Sequence, residues 1–154
     1  MIECQKVDVT QGVVLADVLY EISDKAFVTG SPWKVSQFKE DILLGETVYF
    51  VMLSNQAVIG YISYRIMLDE AEIYNVAVLP DWQGKGLANK LLKECLATLK
   101  LVGVRTVFLE VRVGNQAAIK LYRQNNFEKV GLRKKYYHHP LEDALVMMCQ
   151  LLGD

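Results

Sequence analysis

The sequence predicts an α/β domain with a mixed sheet lying between helices. Three observations carry that reading. Strand-length runs rich in β-branched and aromatic residues are interleaved with longer stretches whose apolar residues recur at helical spacing. Glycine, proline or clustered polar residues stand at the junctions between them. Of the 154 residues, 52% are hydrophobic, enough for one domain with a core and far from the composition of a disordered chain.

Taken in order, Ile2–Val7 reads as a short strand. Val14, Leu15, Val18, Leu19, Ile22 and Ala26 form the stripe of a helix over Val13–Ala26. Gly30 and Pro32 make FVTGSPW a loop. Val35–Leu44 fits a second helix, with Ser36 as its cap and Gly45 at its end. Three strands follow, Thr47–Leu53, Val58–Met67 and Ala71–Val78, joined by SNQ and LDE. Pro80 closes the third. The loop DWQGKGLANK, Asp81–Lys90, opens a long helix with Leu87, Leu91, Leu92, Cys95, Leu96 and Leu99 on one side, and Gly103 ends it. Val104–Val111 is a further strand. Asn115 caps a short helix, Gln116–Gln124. Phe127–Tyr137 and Ala144–Leu151 are the last two strands, linked by HHPLED. The sheet should hold about seven strands flanked by about four helices. Residues 1–154 read as a single domain, with no internal repeat and no linker.

Seventeen basic residues against eighteen acidic ones give a net charge of −1, without the basic excess of a nucleic-acid footprint. Arg133, Lys134 and Lys135 form a local basic run that reads as a solvated strand end. The three cysteines, Cys4, Cys95 and Cys149, are far apart and follow no CxxC or Cys/His spacing. They are expected to be reduced and mostly buried, in a cytoplasmic protein. Cys95 lies on the apolar side of its helix, which argues against a nucleophile. MIECQKVDVT lacks a charged region followed by an apolar run, and no apolar stretch approaches the roughly 18 residues of a membrane span. Neither membrane nor nucleic acid is expected as a partner, and the chain should be a monomer or weak dimer. Adjacent histidines on a strand point in opposite directions, so His138 and His139 do not make a metal pair.

The glycine loop is the first chemical signal. A helix N-terminus leaves its first amide N–H groups unpaired and carries about half a positive charge. Gly84, Gly86 and Ala88 allow a phosphate to approach those amides, and Lys85 and Gln83 can add donors at the rim. No Ser or Thr follows a Gly-Lys pair at Walker spacing, and Asn89 stands where a dinucleotide motif would have its third glycine. A di- or oligophosphate ligand fits; an ordinary helix start with flexible glycines would look the same.

Context narrows the choice. QGKGLA, Gln83–Ala88, matches the pattern Q/R-x-x-G-x-G/A. It follows the strand YNVAVLP and precedes LEV and then N-x-x-A-x-x-L-Y-x-x-x-x-F. In these features the sequence resembles the GNAT superfamily of acetyl-CoA-dependent N-acetyltransferases. SPW, LDEAEIYNVAVLPDWQGKGLA, FLEVRVGNQAAIKLYRQNNF, and RKKYY with EDALVM resemble its ribosomal-protein-alanine N-acetyltransferase branch. The resemblance implies the GNAT (acyl-CoA N-acyltransferase) fold, splayed between the fourth and fifth strands by a bulge. It implies acetyl-CoA as cosubstrate. The implied acceptor is the N-terminal α-amine of a protein, such as the N-terminal alanine of a small-subunit ribosomal protein, attacking directly in a ternary complex. It further implies that the backbone of Val76, Ala77 and Val78 pairs with the pantetheine arm. Gln83, Gly84, Lys85, Gly86, Leu87, Ala88 and Asn89 would hold the diphosphate, and Asn115 would contact the cofactor.

Acyl transfer to an amine needs a neutral nucleophile, a site for the oxyanion and an acid for the leaving thiolate. A free α-amine has a pKa of about 7.7–8.0, so neutralising it at pH 7 costs only about 1 kcal/mol, against about 4.6 kcal/mol for a lysine. A modest base suffices. Glu110 is the candidate: it interrupts the apolar strand VFLEV, where a charge is costly unless solvated or used. A strand-end carboxylate facing water, or an ion pair with Arg112, is the alternative. Tyr122 is the candidate acid, although with Ala118 and Leu121 it also fits a core stripe. The Val78 N–H is the candidate oxyanion donor. Trp33, Tyr136 and Tyr137 are candidates for the walls of an acceptor pocket, with plain packing as the alternative. Asp69, Glu70 and Glu72 could attract a cationic peptide or simply solvate a hairpin turn. Two other functions share these features: a GNAT enzyme acting on a small-molecule amine, and an acyl-CoA-binding module without turnover.

Overall fold

In the computed structural model, which describes residues 2–7 and 12–151, side chains at positions 12–14 lie outside the description. The elements run β1 (Ile2–Lys6), α1 (Gly12–Ala26), α2 (Val35–Leu44), β2 (Val48–Ser54), β3 (Ala57–Met67), β4 (Glu70–Val78), α3 (Leu87–Leu101), β5 (Thr106–Arg112), α4 (Gln116–Gln124), β6 (Glu128–His138) and β7 (Leu141–Gln150). The sheet has seven strands in the order β1-β2-β3-β4-β5-β7-β6. β4 and β5 pair in parallel from Glu70↔Thr106 to Ile73↔Leu109, and the ladder ends there. The expected splay between the fourth and fifth strands is found at that point.

The chain divides into two compact units, Met1–Arg65 with Asn75–Cys95, and Ile66–Tyr74 with Leu96–Asp154. In the first, the α1 stripe buries Leu15, Ala16, Leu19 and Ile22 against Phe38 and Ile42 of α2 and Tyr49, Val51, Tyr61 and Ala77 of the strands. Each such fully buried side chain contributes roughly 1.5–3 kcal/mol of transfer free energy. Val18 and Ala26 are partly buried beside them; Val14 is one of the side chains outside the description. The strands β2 and β3 meet at a hairpin whose turn residues, Asn55 and Gln56, both take positive φ. Gly60 lets β3 approach β4 closely: a Cβ there would sit 2.8 Å from the Ala77 carbonyl oxygen.

The α2 helix spans Val35–Leu44 as expected, but its cap lies two residues before Ser36. Lys34 occupies the cap position, and its N–H is satisfied by the Gln37 side chain at 2.8 Å, so Ser36 lies inside the first turn. Gly45 ends the helix as expected, its N–H bonding Asp41 O. Asp41 itself is buried and accepts from Tyr49 Oη at 2.5 Å, Arg65 Nη2 at 2.8 Å and Thr47 Oγ1 at 3.0 Å. No sequence pattern marks that tie.

In the second unit, β5 alternates strictly. Val107, Leu109 and Val111 are buried, while Thr106, Phe108, Glu110 and Arg112 lie half-buried on the other face. The strand starts later than Val104, because the Val104 N–H closes the end of α3 onto Leu99 O. The largest departure from expectation is the β6–β7 connection. HHPLED is not a six-residue link: the ladder continues to His138↔Leu141, leaving His139 and Pro140 as the turn. Polar residues that read as loop are strand residues whose carboxylates bond backbone amides, Asp143 to Lys135 N–H at 2.8 Å and Glu142 to Gly114 N–H at 2.7 Å. Among the described residues no helix is long and apolar enough to cross a membrane.

Candidate active site

The glycine loop leaves β4 through a 3₁₀ turn, Pro80–Trp82, that the sequence did not announce. Gly84 and Gly86 follow with φ of 77° and 76°, in the left-handed region that favours glycine. A Cβ at either would meet nothing within 4 Å, so both glycines serve backbone conformation and leave open space beside the turn. The first α3 hydrogen bond at this end runs from Lys90 N–H to Gly86 O at 3.1 Å. The amides of Leu87 and Ala88 precede it, at the positive end of the helix. Lys85 lies over the Trp82 ring, with Nζ 5.0 Å from its centroid.

Upstream, Leu79 N–H bonds Ile59 O on β3 at 2.9 Å. Backbone groups alternate sides along a strand, so the N–H and C=O of Val78 and Val76 point away from β3. Val78 O is met there by Gln83 Nε2 at 2.8 Å. One of the two Gln83 N–H groups thus ties the loop to the strand. Ala77, whose carbonyl faces Gly60, belongs to the β3 side. In the same unit Trp33 packs partly buried against the core and edge-on to Phe38 at 5.2 Å. Ser31 Oγ fixes its loop by donating to Trp33 O at 2.6 Å.

In the second unit, Glu110 faces the half-buried side of β5. Its side chain is 16% exposed and forms an ion pair through Oε2 with Arg133 Nε. That oxygen is shielded from solvent and has no donor in hydrogen-bonding alignment. The partner is thus Arg133 and not Arg112. Arg112 is engaged elsewhere: it bonds Glu142 Oε1 at 3.2 Å and Pro140 O at 2.9 Å, and stacks on Tyr137 at 4.2 Å. Burial pushes the Tyr137 hydroxyl up to about 12, with the Glu110 charge adding to it. The Tyr136 hydroxyl is also raised, by burial and then by the charge of Glu110 and a hydrogen bond to it. Tyr136 and Tyr137 pack edge to face at 5.1 Å.

Tyr122 is buried on α4 and packs against Phe127 at 5.7 Å. Burial raises its pKa above the ordinary tyrosine value, with a further push from Tyr137. It therefore holds its proton throughout the neutral range. Asn115 caps α4, Oδ1 accepting from Ala118 N–H at 3.1 Å, which leaves its Nδ2 as a donor outside the cap bond. The second unit thus brings together Glu110, Tyr136 and Tyr137, with Tyr122 beside Tyr137. Arg133 and Glu142 are functional neighbours that sequence reasoning missed. Alternation places Glu110 and Arg112 on one face, but the register of β6 decides which cation reaches the carboxylate. Asp69 and Glu70 are exposed at the β3–β4 turn, where Asp69 O receives Arg105 N–H at 2.7 Å. Among the described residues no three His, Cys, Asp or Glu side chains cluster as a metal site would need. The Cys4 and Cys95 thiols are pushed up to about 12, chiefly by burial, which makes both poor nucleophiles.

These features, a parallel pair that parts, an amide-lined glycine turn at a helix start and a shielded glutamate on the following strand, belong to a recognisable class. A model of the Acetyltransferase (GNAT) family matches residues 16–127, and the chain belongs to that family. It is 38% identical over 137 residues to the ribosomal protein bS18-alanine N-acetyltransferase of Haemophilus influenzae, covering 86% of this chain and 90% of the relative. It is 34% identical over 131 residues to the N-alpha-acetyltransferase RimI of Mycobacterium tuberculosis, covering 82% and 81%. Among solved structures, the ribosomal-protein-S18-alanine N-acetyltransferase from Escherichia coli matches 100% of this chain and 96% of its own, with a TM-score of 0.87 and 29% identity.

Proposed function

We propose that this chain, acting as one catalytic domain, transfers the acetyl group of acetyl-CoA to the N-terminal α-amine of a protein. The acceptor named by its relatives, the N-terminal alanine of ribosomal protein bS18, is the proposed substrate. The observation that carries the reading is Glu110, an ionisable side chain on a core-forming strand whose inner oxygen lacks an aligned donor. Acetyl-CoA supplies an acyl thioester, and the glycine turn fits its diphosphate because open space and amides coincide there. Gln83–Asn89 would hold that group, the backbone groups of Val76 and Val78 the pantetheine arm, and the Asn115 amide a further polar contact. Glu110 accepts the proton of the α-ammonium and passes it to solvent; neutralising that amine costs only about 1 kcal/mol at pH 7. The Val78 N–H, turned away from β3, serves the oxyanion. Tyr122, kept protonated by burial, returns a proton to the leaving thiolate. Tyr136 and Tyr137, the aromatic neighbours of Glu110, would line the acceptor's path.

An acetyl-transfer assay with alanine-first peptides, a lysine peptide with a blocked N-terminus, and spermidine tests this. Thiol release should be strong with free N-termini alone. Release with spermidine and not with peptides would assign a small-molecule acceptor. CoA binding with no release from any amine would leave a binding module.

A further inference from the structure

We propose that Arg133 is a displaceable stand-in for the acceptor: its guanidinium occupies, on Glu110, the place that the substrate's α-ammonium takes on binding. The inference deepens the proposed function and rests on it. The local backbone is built for this contact. Residues 133 and 136 are three apart, so a regular strand would turn them to opposite faces. The β6–β7 register shifts between Arg133 and Tyr137, and Lys135 in that interval takes φ of 52°. The shift brings both Arg133 and Tyr136 to Glu110. Gly131 and Glu110 both pair with Val146, so β6 adds no side chain of its own to that row. Arg133, two residues along β6, reaches the carboxylate past Val146.

The contact is poorly suited to a permanent tie. Nε meets Oε2 without an aligned hydrogen bond on that oxygen, unlike the two parallel bonds of a bidentate bridge. The arginine side chain is 59% exposed, and its guanidinium lies 5.5 Å from the Tyr136 ring centroid while it meets Glu110. Arg112, by contrast, is held by Glu142, by two backbone carbonyls and by Tyr137. A cation that covers a shielded carboxylate oxygen but is itself mostly solvated can leave at small cost. An incoming α-amine, with a pKa of about 7.7–8.0, arrives mostly as a cation at pH 7 and competes for the same oxygen. Arg133 thus sets a threshold: it stays paired with Glu110 until an ammonium replaces it, and it disfavours acceptors lacking one.

The test compares wild type with Arg133→Gln and Arg133→Lys on an alanine-first peptide at saturating acetyl-CoA. Arg133→Gln should lower the peptide KM by about two- to fivefold, the scale of a largely exposed ion pair. The change in kcat should be smaller, and the KM for acetyl-CoA should not move. Inhibition by the N-acetylated peptide, which carries no ammonium, should be the same in both proteins; a merely structural effect would shift it too. Arg133→Lys should restore the wild-type KM. An unchanged or raised peptide KM in Arg133→Gln, with wild type active, would overturn the inference alone. Absence of transfer to any N-terminal peptide by wild type would overturn the proposed function and this inference with it.

Discussion

Asp41, near the end of α2, and Glu110, in the middle of β5, are both carboxylates withdrawn from water. Asp41 accepts from a tyrosine hydroxyl, a threonine hydroxyl and a guanidinium, and its side chain is 4% exposed. Glu110 has one largely exposed arginine and the Tyr136 hydroxyl as partners, and no aligned donor on its inner oxygen. The difference lies in how much acceptor capacity the fold leaves unspent. A carboxylate accepts up to about four hydrogen bonds. Where neighbours fill that capacity, as at Asp41, the group locks elements together. Where they do not, as on the inner oxygen of Glu110, acceptor capacity stays unfilled, which is what the proposed role as a base uses.

Removing the filled group should have the larger effect on stability. Asp41→Asn leaves Arg65 and two hydroxyls mismatched in a shielded place, and should cost about 3 kcal/mol in urea unfolding. Glu110→Gln should stay within about 1 kcal/mol of wild type, because its partner is mostly solvated. Equal losses at both positions would erase the distinction. Tyr122 sharpens it from another side, being buried yet assigned to chemistry. Tyr122→Phe should reduce turnover about tenfold to hundredfold, as loss of a general acid does, with CoA affinity from calorimetry nearly unchanged. A large stability loss with turnover retained would give Tyr122 a packing role. Its raised pKa adds a sign: the stability it contributes is fully present below the unfolded value of about 10 and is lost as pH rises through the folded one. Tyrosine absorbance should therefore stay incomplete until alkaline unfolding.

The same contrast explains what could be read from the sequence. The order of elements was legible because periodicity and glycine punctuation are local properties. So were the glycine turn, the Asn115 cap and the ends of α2 and α3 at Gly45 and Gly103. The Arg133–Glu110 contact was not, since it depends on strand register and on a shift at Lys135 that no local pattern reports. HHPLED read as a loop because Glu142 and Asp143 are polar, but their acceptors are used by Gly114 and Lys135 within the strands. Gln83 read as a ligand donor, and its bond to Val78 O required knowing where β4 ends. In each case the missing information was the strand path and register that set which partner a side chain meets.

The most direct measurement is the pH profile of kcat/KM for Glu110→Gln beside wild type on an alanine-first peptide. If Glu110 takes the ammonium proton, the variant should fall about tenfold behind at pH 7 and draw level near pH 9, where an amine with a pKa of about 7.7–8.0 is already neutral. An identical deficit at both pH values would contradict a base at this position.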